Sequence, residues 1–515
     1  MSVNMSSALK DNRRIAKNTL MLYIRMLLIM VVSLYTSRII LGVLGVEDFG
    51  IYNVVGGVVA MVSFLNSTLS STCQRYFSYE IGRGNQEGIS ILFRLNLTVY
   101  LYFILVVIFF AETIGLWFVN NCLVIPQDRI VAMNWTYQFS ILTFIVSSFS
   151  IPYNALIISH EQMSVYAYIS IIEVLLRLGI VFLLSLGDVD RLILYAVLLF
   201  LSTSCITLFY YVYCKCKYPE SHYSYLWKSD KIREVASYSG WHLIGAVSVI
   251  VRNQGVNVLL NSFFNPVVNG ARAIAFQVSV AVDSLTNSFF VAVKPQIYKL
   301  YGANELNQMY ILLSRSSKIC FLLVAILAYP ILMNMEFVLN LWLNQIPDYT
   351  VLFTQLVLIN ALIDSVNGPA IAAALATGRI KKFEIITGGL MILNLPMSYI
   401  LLFWGCAPEV TMIVSIVLSL VTIIIRSFIL EKLMGYKVVD YMANVFFPLL
   451  MIGLLSFIFV YFIGKCIPNA VIHFFVTSIV AVLLLSIFTF FIALTSSERS
   501  TTKKYILRGV DKLFH

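Results

Sequence analysis

The stretch KNTLMLYIRMLLIMVVSLYTSRIILGVLGVEDFGIYNVVGGVVAMVSFLNSTLSSTCQRYFSYEIGRGN, residues 17–85, decides the fold. Its first run, 19–44, is apolar apart from isolated polar residues, and about 20 such residues suffice for a helix to cross a bilayer. A short turn, Leu44-Gly45-Val46-Glu47-Asp48-Phe49-Gly50, reverses the chain into a second and more polar run at 51–74. Gln74-Arg75 to Gly84-Asn85 then forms a basic, glycine-marked loop. The stretch reads as a helical hairpin through a membrane whose first helix is retained, because its apolar run is too long for a signal-peptide core.

The rest of the chain follows the same plan. Of 515 residues, 60% are hydrophobic and 12% charged, against about half and about a quarter in a soluble domain. Further apolar runs fall near 94–119, 131–158, 163–186, 191–214, 236–261, 270–298, 318–340, 351–376, 383–404, 410–430, 443–464 and 471–494. The expected fold is an all-α polytopic membrane protein of about fourteen transmembrane helices. An even count puts both termini on one side, and the loops of that side carry 26 of the 35 Lys and Arg, against Arg129, Arg191 and Lys465 opposite. The positive-inside rule makes the terminus side cytoplasmic. The net charge of +10 thus sets topology and meets anionic head groups; it is not a nucleic-acid site.

Motif chemistry is sparse. The eight cysteines form no CxxC pair, His160-Glu161 lacks the second histidine of a zincin, and no GxxxxGK[ST] appears, so neither a metal site nor direct ATP use is expected. Asp188-Val189-Asp190 spells a DxD motif inside a turn too short to serve a glycosyltransferase. The longest segments outside the apolar runs are the 215–235 connection and the tail from Thr495. Their shortness disfavours a membrane glycan polymerase or ligase with a catalytic outer loop.

Sliding the chain along itself until Gly50 meets Gly270 superposes its own pattern. The same shift brings Leu65 onto Leu285, Gly82 onto Gly302, and Ile51-Tyr52 onto Ala271-Arg272. It spans an even number of runs, so the copies are parallel: two six-helix lobes, 1–214 and 236–430, a cytoplasmic linker at 215–235, two additional helices within 431–494, and a cytoplasmic tail at 495–515. Parallel repeats with a ligand site between them are a transporter plan.

Charge in hydrocarbon costs at least about 2.5 kcal/mol per residue, so it concentrates where a watery cavity receives it. The first two runs of each half carry most of it. Arg25 and Arg252 fall on one face of equivalent helices, and with Arg272, Lys294, Asn66 and Asn287 they are the candidate substrate-binding residues. Gln277, Ser284, Asn287 and Lys294 share a helical face by spacing. Guanidinium groups grip phosphate in a planar fork, so the expected ligand is anionic and hydrophilic. For Arg38 and Arg272, near the outer ends of their runs, snorkelling to head groups competes with a cavity role; for Lys294, beside Pro295, a cytoplasmic anchor does. Asp283 and Asp364 are coupling candidates that could neutralise the arginines or carry a proton, and Glu173 and Arg177, at i and i+4, are a structural or gating pair. Asp364 lies in Asn360-Ala361-Leu362-Ile363-Asp364-Ser365-Val366-Asn367-Gly368-Pro369, where glycine and proline weaken the helix.

The 17–85 stretch, above all the 44–52 turn and the 74–85 loop, resembles bacterial O-unit flippases of the Wzx-like polysaccharide-export family, within the multidrug/oligosaccharidyl-lipid/polysaccharide (MOP) exporter superfamily. The resemblance implies alternating access by two six-helix bundles. It also implies translocation of an undecaprenyl-pyrophosphate-linked oligosaccharide to the periplasmic leaflet of the bacterial inner membrane, for O-antigen, capsule or exopolysaccharide assembly. Bilayer lipids and polysaccharide polymerase machinery are the further partners it suggests. No cofactor is expected beyond coupling to H+ or Na+. In lipid II flippases two helices beyond the core twelve form a hydrophobic groove for the lipid tail, and the last two runs here could do likewise. The competing expectation is a multidrug cation antiporter of the MATE type.

Overall fold

The computed structural model describes residues 2–60, 63–121, 125–184, 190–264, 266–343, 345–465, 467, 470–496 and 498–500. These are overwhelmingly helical, with no strand among them, as hydrocarbon demands of a backbone that must satisfy its own hydrogen bonds. The helices used below are α1 (Ser2–Ala60), α2 (Ser63–Gly82), α3 (Gln86–Phe110), α4 (Ile130–Ser159), α5 (Met163–Leu184), α6 (Arg191–Lys217), α7 (Ser229–Phe263), α8 (Pro266–Gly302), α9 (Leu306–Met333), α10 (Met335–Trp342), α11 (Thr350–Ser365), α12 (Asn367–Ala376), α13 (Lys381–Ile392), α14 (Asn394–Phe403), α15 (Val410–Met434), α16 (Phe447–Lys465) and α17 (Ala470–Phe488).

Eleven helical stretches among the described residues are long and apolar enough to cross a membrane, or twelve when α11 and α12, bent by 42°, count as one. The first two expected spans lie in α1, which breaks at Gly45 (φ 80°), and in α2. That φ is open to glycine and costly for a residue with a Cβ, so the turn read at 44–50 is a property of Gly45. Capping fixes other ends: Asn85 Oδ1 accepts the Gly88 N–H at 3.0 Å to start α3, and Asp190 Oδ1 accepts those of Leu192 and Ile193 at 3.0 and 3.2 Å to start α6.

Packing divides the chain into two compact units, Met1–Ala246 with Val291–Glu305, and Val247–Phe290 with Leu306–His515. In unit 1, Ile51 and Val55 of α1 pack with Met133, Tyr137 and Ile141 of α4 and Leu192 of α6. In unit 2, Val256 and Leu260 of α7 pack with Ala271 and Ala275 of α8, Phe353 and Val357 of α11 and Met412 of α15. In lipid, close packing and polar pairing hold helices together more than apolar burial does.

The internal shift that pairs Gly50 with Gly270 is visible in the backbone within unit 1. The Arg83, Gly84 and Asn85 N–H groups donate to Tyr79, Ile81 and Glu80, and those of Ala303, Asn304 and Glu305 donate to Lys299, Tyr301 and Leu300. Gly84 and Asn304, which the shift superposes, are both left-handed, at φ 69° and 60°. A Cβ on Gly82 would overlap the carbonyl of Lys299, and one on Gly302 the carbonyl of Tyr79. The ends of α2 and α8 therefore cross backbone to backbone through a matched glycine pair.

Candidate substrate-binding site

Unit 2 encloses a cavity of about 440 Å³. Arg252 enters it from α7; Arg272, Ser279, Asp283 and Asn287 from α8; Asn360 and Asp364 from α11; and Ser415 from α15. Arg272 is 5% exposed, lies 4.4 Å over the Phe276 ring and donates through Nη1 to Asn257 Oδ1. Its Nε has no hydrogen-bond partner among the described residues. Arg252 Nε donates to Asn253 Oδ1 at 3.4 Å. The carboxylates are satisfied by neutral donors: Asp283 by Ser279 Oγ at 3.1 Å, and Asp364 by Asn360 Nδ2 at 2.9 Å and Asn367 Nδ2 at 3.2 Å. Asn367 opens α12, so the Asp364 carboxylate bridges the 42° bend. Among the described residues neither arginine forms an ion pair with a carboxylate.

A recess of about 20 Å³ borders the cavity, lined by Arg252, Asp364, Asn394, Ser415, Thr422 and Arg426 among others. Arg426 is 3% exposed, sits 5.6 Å over Phe383 and leaves its Nε unpartnered among the described residues. Sequence reading placed Arg426 with the cytoplasmic loop charges. The helix runs on to Met434, so Arg426 is two turns inside it, and Ser415, Ser419 and Thr422 form the polar stripe that could have revealed it.

Five candidates thus come together in unit 2: Arg252, Arg272, Asn287, Asp283 and Asp364. The others lie in unit 1, outside this cavity. Arg25 stacks 4.4 Å over Tyr166. Lys294 Nζ donates to Ser71 Oγ at 2.7 Å, because α8 passes into unit 1 beyond Phe290. Asn66 Nδ2 donates to Ser148 Oγ at 3.0 Å. Arg177 Nη2 meets Glu173 Oε1 at 2.8 Å. The side chain of Arg38, and Asp188 of the DxD spelling, lie outside the described residues. Asp190 of that spelling is half of a clamp: Arg129 contacts Asp190 at 2.6 Å and Asp48 at 2.5 Å. Burial pushes the Asp190 carboxyl up, but the Arg129 and backbone hydrogen bonds outweigh it and hold it below the ordinary range. No group of three His, Cys, Asp or Glu suited to a metal occurs among the described residues.

No protein-family model matches this chain, and no curated protein does. Solved structures do: the fold is that of MATE transporters of the MOP superfamily. The outward-facing conformation of a multidrug resistance MATE family transporter of that superfamily is similar at a TM-score of 0.70, with 12% identity over 82% of this chain and 97% of the other. A MOP superfamily transporter from Pyrococcus furiosus, for which reverse polarity of the binding pocket suggests a different function, matches at 0.67, with 12% identity over 82% and 96%. A Vibrio cholerae MATE transporter mutant matches at 0.65, with 14% identity over 84% and 99%.

Proposed function

We propose that this chain is a flippase for an undecaprenyl-pyrophosphate-linked oligosaccharide, moving it from the cytoplasmic to the periplasmic leaflet of a bacterial inner membrane for surface polysaccharide assembly, with both termini cytoplasmic. The observation that carries the reading is the cavity of unit 2, where the carboxylates are occupied by amide and hydroxyl donors while the guanidinium groups of Arg252 and Arg272 meet no carboxylate among the described residues. Desolvated guanidinium groups are costly without a counter-charge, and a pyrophosphate supplies one with matching geometry. A second cavity in unit 2, about 340 Å³ and almost wholly apolar, is lined by Phe321, Leu362, Leu450 and Phe457 among others; it suits a polyprenyl tail. Asp283 and Asp364 are the groups that would take a coupling proton or Na+, whose entry down a gradient is worth about 2.3 kcal/mol per charge per 100 mV.

The fold alone also suits a multidrug cation antiporter, and the same two aspartates favour that reading. Proteoliposomes carrying an undecaprenyl-pyrophosphate disaccharide, with its outer-leaflet fraction read by an external lectin, separate the two. The proposal expects transbilayer equilibration that slows at least about tenfold in Arg252→Ala/Arg272→Ala, the loss of charged hydrogen bonds, with membrane insertion unchanged. An unimpaired double variant, or a wild-type protein that extrudes a cationic dye and leaves the lipid unflipped, rejects it.

A further inference from the structure

Unit 1 contains a pocket of about 200 Å³ between α1, α4 and α6, far above the ~15 Å³ that one water needs. We infer that this pocket is a binding subsite for an uncharged sugar ring. Its wall on α4 is Ser140, Thr143 and Ser147, whose spacing of three and four puts the hydroxyls on one helical face. Each hydroxyl proton is already spent on the helix's own backbone: Ser140 donates to Thr136 at 2.7 Å, Thr143 to Phe139 at 2.7 Å and Ser147 to Phe144 at 2.8 Å. What remains toward the pocket is a row of oxygen lone pairs. Such a row takes a ligand rich in O–H donors.

The opposite wall is Tyr52, braced edge-on by Tyr195 at 4.8 Å between ring centroids. It offers an aromatic surface to the C–H face of a ring. Beside it, a Cβ added to Gly56 would meet nothing nearer than the Tyr52 ring at 4.0 Å, so this side is open. No charged side chain lines the pocket among the described residues, which removes a phosphate as its occupant.

The internal repeat adds an independent argument. The shift that pairs Gly50 with Gly270 also carries Tyr52, Gly56, Val59, Ser140 and Phe144 of this pocket onto Arg272, Phe276, Ser279, Asn360 and Asp364, all lining the cavity of unit 2. The pocket is thus the repeat's copy of the candidate substrate cavity, with neutral residues where Arg272 and Asp364 stand in the other. In naming a sugar, the inference rests on the flippase reading, which supplies a ligand with one ionic part and one neutral, hydroxylated part.

The test is saturation-transfer NMR on the full chain in nanodiscs, with D-glucose, D-galactose, D-mannose and N-acetyl-D-glucosamine as separate probes. The expected result is transfer to at least one sugar, reduced at least about tenfold both by Gly56→Leu, which fills the open side, and by Ser140→Ala/Thr143→Val/Ser147→Ala, which removes the acceptors. Transfer should persist in Arg252→Ala/Arg272→Ala. No transfer from any of the four sugars to the wild type overturns the inference, as does transfer unchanged in both pocket variants. Either result leaves the flippase reading standing if the lipid is still flipped in an arginine-dependent way. Pocket-dependent sugar binding in a protein that flips nothing would keep the subsite and reject the reading.

Discussion

The two repeat-related cavities differ at every lining position that the shift superposes, and those positions decide what a ligand would meet. Where unit 1 has Tyr52, Ser140 and Phe144, unit 2 has Arg272, Asn360 and Asp364. One framework therefore holds a neutral pocket of lone pairs and an ionic cavity of guanidinium and carboxylate groups. The backbone is kept in part: the Tyr79–Asn85 and Lys299–Glu305 loops, one in each copy of the repeat, keep the same hydrogen bonds, while α4 runs unbroken where its counterpart bends by 42° between α11 and α12. The two cavities thus differ in side chains at matching positions of the repeat, while Gly82 and Gly302 make the same close backbone approach in both copies.

The largest effect should come from erasing the difference. Arg272→Tyr copies Tyr52 into unit 2, and combined with Arg252→Ala it removes both guanidinium groups. Charged hydrogen bonds are worth about 1.5–3 kcal/mol each, so flipping by the double variant should fall on the order of 100-fold. Lysine at both positions should restore only part of this, since an ammonium group lacks the planar fork. A double variant within a factor of about two of wild type would mean that the ionic cavity is not where the pyrophosphate goes.

Next is the carboxylate. Asp364 has Phe144 as its repeat partner and shares the recess with Arg252 and Arg426. Asp364→Asn keeps an acceptor for only one of Asn360 and Asn367 while removing a negative charge from the proposed anion site. Pyrophosphate binding to the isolated protein should tighten about three- to tenfold, while gradient-driven flipping should drop. Calorimetry against flux measurements separates these, and weakened pyrophosphate binding would contradict the assignment.

Unit 1 keeps its charges outside its pocket, and the clamp of Arg129 with Asp48 and Asp190 is the clearest case. A carboxyl held below its ordinary value contributes stability that is fully present above the unfolded value of about 3.9 and is lost as pH falls through the lowered folded value. The thermal midpoint should therefore be flat from neutral pH to about 5 and decline below it. Asp190→Asn should lower the neutral-pH stability by about 1–2 kcal/mol, partial exposure of the pair (side chains 21% and 30% accessible) tempering the effect. It should also shrink the acid-side decline, and an unaltered pH profile would show that the clamp adds nothing.

Much of this was readable from residues 17–85 and their echo. The Gly45 turn, the apolar runs and the internal shift follow from period and punctuation, which the bilayer enforces strongly. The ionic cavity was half readable: Arg252, Arg272, Asp283 and Asp364 stand out because charge inside hydrocarbon needs a reason. Arg426 escaped because a run's end blurs over several positions, and a cation near an end resembles an anchor. Arg25 and Lys294 drew attention by the same logic; Arg25 lies over Tyr166 with its Nε unpartnered among the described residues, Lys294 meets Ser71, and partners distant in sequence leave no local signal. The hydroxyl row at Ser140, Thr143 and Ser147 stayed silent for the opposite reason, because uncharged hydroxyls bonded to their own helix look the same toward lipid, water or sugar.

The smallest effect bears on whether the polar side of unit 1 is wet. Glu173 and Arg177 form an i, i+4 pair with side chains 38% and 55% accessible, on α5 of the same unit as the neutral pocket. In water such a pair is worth about 0.3–0.5 kcal/mol. Against hydrocarbon, removing one partner would strand a charge and cost several kcal/mol. Glu173→Gln should therefore shift stability by less than about 0.5 kcal/mol in a denaturant titration, with sugar transfer to the pocket unchanged. A loss of about 3 kcal/mol or more would place the pair against lipid. The pocket beside it would then lack the water through which a hydroxylated ring could enter, and the contrast between a neutral and an ionic cavity would shrink to one between a sealed cavity and an open one.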